Sequence, residues 1–499
     1  MKKNEIGSGI LLNYLHIALF TISSLIITPA LTGGLGDSIY GVYVTVFSVI
    51  TFFNAADFGI AMPVIRNIVE YKASEDKKQL ETYLFRTLLI YLLFSVVVFL
   101  LCMGIYFLSP YIFKAKFTLI EIDMFKKMFL IMATNSIFLF FVNYFFAIIT
   151  AYDKFSFTRI SNIIKVILRT VFLVLLVSKS LPPYVVFFVD LISSILLCVV
   201  YAAFSFKIGV RIKNHNNVSV KIKNTVSGML LSYWMAMSEN AFSTLCPTII
   251  AACLGTIDAG RFFVAITFIT IYIQLSATLS HLRIPKISKL WFSKDDDNAF
   301  WTYTMASGRI QSVVLGAILI GFIILGRIFL RLWVGSEFDD SYFVALIVMI
   351  PMFLSLSQSM LEVALYAQNK YFVRSIVLFI SSAVNILFVW IGSKMFGLMG
   401  AGYAILTTTL IFNFLGMNFY YQRIYKKMKD FNINIILKMF PPIIVSSAVG
   451  LLIVNIDLSS VILAILGAAS GFLVYIVMVY LLHFRHIDLR KIMKRGKFI

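Results

Sequence analysis

At 499 residues, 60% of them hydrophobic and only 13% charged, the chain is too apolar to be a water-soluble globular protein, since such proteins carry about 25% charged residues. Its formal net charge of +20 would suit a nucleic-acid partner, but the basic residues are spread over many short connecting segments instead of forming one basic face. A mean hydropathy of +0.93 leaves the lipid bilayer as the solvent.

A helix crossing a hydrocarbon core of about 30 Å needs about 20 apolar residues, each rising about 1.5 Å. The sequence offers fourteen such blocks, near 10–31, 39–62, 87–109, 129–150, 163–180, 184–206, 225–253, 262–281, 309–330, 341–366, 374–393, 398–420, 435–454 and 459–482. The opening "MKKNEIGSG" could begin a signal peptide, but the apolar stretch behind it outruns the usual core of about 7–15 residues. It is expected to persist as the first span. Lys114, Lys116, Lys126 and Lys127, flanking Glu121 and Asp123, read as a helical extension ahead of the fourth span. The four cysteines, Cys102, Cys198, Cys246 and Cys253, all fall inside apolar blocks without metal-ligand or disulfide spacing.

Lys and Arg concentrate on the cytoplasmic side of membrane proteins. With the N-terminus inside, the large majority of the 43 Lys and Arg fall in inner segments. Both termini are therefore expected in the cytoplasm, and the basic tail "RKIMKRGKFI" is expected against anionic lipid headgroups.

The chain repeats itself. At a shift of 219 residues, Ser8, Gly9, Leu11, Leu12 and Tyr14 fall on Ser227, Gly228, Leu230, Leu231 and Tyr233. The same register places Leu35, Gly36 and Gly41 of "LGDSIYG" on Leu254, Gly255 and Gly260 of "LGTIDAG". Pro63 and Pro285, then "AYDKF" and "AQNKY", continue the correspondence with small drifts. The expected architecture is an all-α integral membrane protein of about 14 transmembrane helices, twelve of them in two six-helix lobes. Six spans per copy give both copies one orientation, a parallel repeat with the substrate between its halves. The lobes are placed at 1–206 and 225–420, joined by a linker at 207–224 and followed by two extra helices over 435–482 and a tail at 483–499.

The turn "LGDSIYG", "DFGI" at 57–60 with Arg66 beyond it, "IPKISKL" and "GLMGAGYA" at 397–404 resemble the polysaccharide-transporter branch, the Wzx-like oligosaccharide flippases, of the MOP flippase superfamily. That resemblance implies translocation of undecaprenyl-diphosphate-linked oligosaccharide repeat units, for polysaccharides such as O-antigen or capsule. The movement would run from the inner to the outer face of a bacterial cytoplasmic membrane, possible company being a polysaccharide polymerase. It implies no cofactor and no enzymatic step. A cleft for such a headgroup must be polar inside, so polar residues within spans mark it. Asn13 and His16, three apart, share one face of the first span. Arg66, Arg261 and Arg283 stand at span ends, where they would attract the diphosphate or reach into lipid headgroups. Asn13, Asn240 and Gln274 are the groups for sugar hydroxyls, with His16 beside Asn13. Glu239, in the middle of the seventh block, is the sharper candidate for coupling to H+ or Na+, and Asp57 is a second. Asp190 and Glu362 are, like Asp57, weaker candidates, since each lies nearer a span end.

Other functions remain open on the sequence. A drug or organic-cation exporter of the same superfamily would favour an acidic cavity, whereas these residues lean basic. A lipid II flippase would be expected to carry a cationic cavity, and the first span holds no arginine. A membrane-embedded polymerase or glycosyltransferase needs a large extramembrane segment and a phosphate or metal motif, neither of which is present in the sequence.

Overall fold

The computed structural model describes residues 3–54, 57–74, 76–179, 181–215, 218–220, 222–281, 283–292, 297–368, 370, 372–425, 427–454, 456 and 461–484. Every regular element among them is helical. Hydrocarbon offers no water to solvate an amide, so each span must satisfy its backbone within itself. Among the described residues, eleven stretches are long and apolar enough to cross a membrane, making this a multi-pass membrane protein. The stretch Phe372–Ile424 covers two of the blocks read from sequence.

By contact the chain divides into two compact units, Met1–Phe263 and Val264–Ile499. This differs in kind from the division by repeat, and it leaves the start of the expected second copy in the first unit. That unit holds α1 (Lys3–Leu35), α2 (Asp37–Asn54), α3 (Asp57–Ala73), α4 (Lys77–Phe113), α5 (Leu119–Ala151), α6 (Phe155–Ser178), α7 (Val185–Lys207), α8 (Ile222–Cys253) and the opening turns of α9 (Thr256–His281).

Helix α4 shows how the solvent shapes the exterior. Leu93, Leu100 and Phe107, one heptad apart, are 64%, 61% and 65% exposed, while Tyr91, Val98 and Cys102 are buried. Both faces are apolar, as a helix between protein and lipid requires. Polar groups turned inward find partners: the Tyr144 hydroxyl on α5 donates to the Leu84 carbonyl on α4 at 2.9 Å. Asn67 on α3 donates to the Thr225 hydroxyl on α8 at 2.7 Å.

Helix α5 begins at Leu119, ahead of the apolar block near 129, because Thr118 caps it. The Glu121 amide donates to the Thr118 hydroxyl at 3.3 Å and the Glu121 carboxylate accepts from the Thr118 amide at 2.6 Å, a reciprocal capping box. Helix α6 likewise begins at Phe155 instead of near 163, carrying Arg159 into the helix.

The second unit continues α9 and adds α10 (Ile284–Phe292), α11 (Asp297–Trp333), α12 (Asp339–Ser357), α13 (Ser359–Ala367) and α14 (Phe372–Thr408). Then come a π-helical stretch (Thr409–Gly416), α15 (Met417–Ile424), α16 (Met428–Phe431), α17 (Phe440–Val454) and α18 (Val461–Val479). The break between α12 and α13 falls at Gln358 and is fastened by Gln311 of α11. Its amide donates to the Leu356 carbonyl at 3.0 Å, to the Ser276 hydroxyl at 2.7 Å and to the Ser359 hydroxyl. Helices α17 and α18 pack on α11, where the Tyr475 hydroxyl donates to the Val313 carbonyl at 2.7 Å.

Helix α14 is two helices joined by a sharp turn. Phe396 leaves helical geometry, and Gly397 takes φ 60° and ψ −145°, a region essentially reserved for glycine. On either side of the turn, Gly392 and Gly400 meet backbone to backbone. A Cβ on Gly400 would lie 1.9 Å from the Gly392 carbonyl oxygen, whereas one on Gly104 of α4 would meet nothing within 4 Å. Gly400→Val should therefore cost about 3 kcal/mol or more through overpacking, and Gly104→Val no more than about 0.5 kcal/mol. Thermal unfolding of the two purified variants in detergent measures the contrast.

Candidate functional site

In the first unit, Asn13 lies on α1, Asp57 on α3 and Glu239 on α8, but their side chains are outside the described residues. His16 is half-buried on α1, 6.5 Å from the Phe20 ring centroid and within electrostatic reach of Arg159 on α6. Arg66 is exposed on α3 and makes no hydrogen bond or ion pair with the described residues. One turn further along α3, Glu70 lines an open cavity of about 370 Å³ with Tyr71, Ser74, Gln79, Ser219 and Val220. Asn240 is exposed on α8, with its amide donating to the Ala236 carbonyl at 2.9 Å. Arg261, half-buried near the start of α9, reaches Asp258 at 3.5 Å.

Gln274 and Arg283 belong to the second unit. Gln274 is half-buried on α9. Arg283, just past the end of α9, donates to the Leu279 carbonyl at 3.1 Å and so closes the helix C-terminus. Burial pulls its guanidinium below the ordinary value for arginine. Among the described residues no group of three or more His, Cys, Asp or Glu could hold a metal ion.

Asp190, named from the sequence, belongs to a charged centre in the first unit whose arginine was not singled out by sequence pattern. Arg169 of α6 meets Asp190 of α7 with both forks of its guanidinium, at 2.5 and 3.3 Å, and also donates to the Tyr43 hydroxyl of α2 at 3.3 Å. The side chains are 21% and 10% exposed. An arginine inside an apolar block is the available signal, but its partner on the next helix is set by tertiary packing. In the second unit Glu362 is similarly neutralised by Arg374 at 2.7 Å. Asp190 and Glu362 are therefore charge-balanced, whereas Arg66 presents its charge outward.

Removing one member of a buried pair strands the other charge and costs about 3–5 kcal/mol, while replacing both with apolar residues is close to neutral. Arg169→Met should accordingly lose about 3 kcal/mol, and Arg169→Met with Asp190→Leu should regain most of it. The fraction of each variant that stays monodisperse after heating reads the difference.

No protein-family model and no curated protein sequence matches the chain. Solved structures do. The lipid II flippase MurJ in an inward closed conformation superposes with a TM-score of 0.71 over 94% of this chain and 97% of its own, at 15% identity. An inward-facing multidrug resistance MATE family transporter of the MOP superfamily reaches 0.68 over 82% of this chain and 96% of its own, at 12% identity. A MOP superfamily transporter from Pyrococcus furiosus, with a binding pocket of reverse polarity, reaches 0.59 over 85% and 96%, at 13% identity. The fold of this chain is that of the MOP-superfamily transporters.

Proposed function

We propose that this protein is a flippase for undecaprenyl-diphosphate-linked oligosaccharide repeat units, carrying them from the cytoplasmic to the outer face of a bacterial cytoplasmic membrane by alternating access. The observation that carries the reading is the extent of the structural likeness. It runs over 94% of the chain against a lipid flippase and over 82% against a drug transporter. The physics of the cargo agrees: sugar and diphosphate cannot cross hydrocarbon unaided, whereas the lipid tail needs no protein shelter.

In this reading the chain has fourteen spans, with the two six-helix copies followed by an added pair, and both termini in the cytoplasm. Arg66 is the first contact for the diphosphate, because its guanidinium is exposed and the described residues leave it unpaired. Arg261 and Arg283 supply further positive charge, and Asn13, His16, Asn240 and Gln274 meet the sugars. Glu239 and Asp57 couple the cycle to H+ or Na+. Anionic lipids bind the basic tail, and a polysaccharide polymerase receives the product. A lipid II flippase is the second reading, favoured by the same likeness to MurJ.

In cells lacking the protein, lipid-linked repeat units should accumulate where an impermeant sugar-modifying reagent cannot reach them. Wild-type protein should release them, Glu239→Ala should not, and Arg66→Ala should slow release about tenfold, the worth of one charge-assisted hydrogen bond of ~1.5 kcal/mol. Normal outward exposure without the protein would remove this reading and favour an exporter of drugs or organic cations.

A further inference from the structure

Four donors converge on the carboxylate of Glu121, which is only 6% exposed. Two belong to its own helix cap: the Thr118 amide at 2.6 Å and the Thr118 hydroxyl at 2.9 Å, both on Oε2. The other two reach Oε1 from elsewhere in the chain. The Ser38 hydroxyl donates at 2.5 Å and the Thr256 hydroxyl at 2.7 Å. Ser38 lies in the first turn of α2 and Thr256 opens α9. The carboxylate thus sits where three helices begin, and each contributes the positive end of its dipole.

Ser38 and Thr256 belong to "LGDSIYG" and "LGTIDAG", the two turns that correspond in the internal repeat. Just beyond the carboxylate, α2 and α9 meet through the glycines of those turns. A Cβ on Gly41 would lie 1.9 Å from the Thr256 carbonyl oxygen, and one on Gly260 would lie 3.0 Å from the Tyr40 ring. Backbone therefore meets backbone at Gly41, and the buried Tyr40 ring packs on Gly260. Glu121 is a side chain from a third helix that bonds to both turns, through one short hydroxyl contact to each.

We propose that Glu121 is the latch of one gate of the transport path. It clasps the two repeat-related turns in the closed gate and releases them when the gate opens. The inference rests on the transporter reading: alternating access needs one contact at each face that is tight, small and reversibly broken. Glu121 is a positioning residue, acting through the two turns and not on the cargo.

The test is a distance measurement made without cargo. Spin labels at Ile39→Cys and Ile257→Cys, with the four native cysteines replaced, report the separation of the turns in liposomes. With Glu121 present, one short distance should dominate. Glu121→Ala should raise the population of a longer distance at least tenfold, as loss of the two hydroxyl contacts implies. Ser38→Ala with Thr256→Ala leaves the α5 cap intact and should open the gate as well, which guards against Glu121→Ala failing to fold. Thr118→Ala removes only the cap hydroxyl and should leave the distances unchanged. Unchanged distances in both Glu121→Ala and the Ser38/Thr256 pair would overturn the latch. Release of lipid-linked units is measured separately on the same proteins. A wild type that never releases them, yet opens when Glu121 is removed, would refute the flippase and keep the latch.

Discussion

A backbone amide in hydrocarbon has no water to bond, so it must be satisfied by its own helix or be hidden from lipid. Among the described residues that constraint makes every regular element helical, confines the irregular backbone to a few places and leaves side chains to decide the rest. Where the helical ladder breaks, at Gln358 and at Phe396–Gly397, the break is held by a neighbouring side chain or by a glycine contact. Inside one span the charge of Arg169 is met by Asp190 from the next helix. The fold is a set of solutions to one solvation problem.

Much of this could be read from the sequence, because hydropathy reports how a residue behaves alone and membrane insertion is largely decided that way. The all-helical class, the membrane and the paired blocks at 374–393 and 398–420 follow from apolar runs and from the break at Gly397 between the last two. Helix starts were less legible. The helical extension read around Glu121 and Asp123 is present from Leu119, where Thr118 caps α5, whereas Arg159 lies inside α6 ahead of the apolar block read from 163.

The candidate site was legible only as a set of residue types. Arg66 and Asn240 are visible as polar groups in apolar surroundings, and the structure places both on exposed helix faces. Glu121, Ser38 and Thr256 looked ordinary in sequence. Their meeting depends on three helix ends that are far apart along the chain, and no local pattern encodes it. The sequence correspondence between the two turns, with their glycines in register, is visible without the structure. What it could not supply was the carboxylate between them, which lies in neither turn.

The glycine contact inside α14 has a mechanical consequence. Two helices separated by a layer of side chains can slide, because rotamers adjust as one element shears past another. Gly392 and Gly400 leave no such layer; each backbone fills the notch of the other. The two arms of α14 therefore cannot slip at their turn. Any rocking of this part of the protein must carry both arms together, as a single lever.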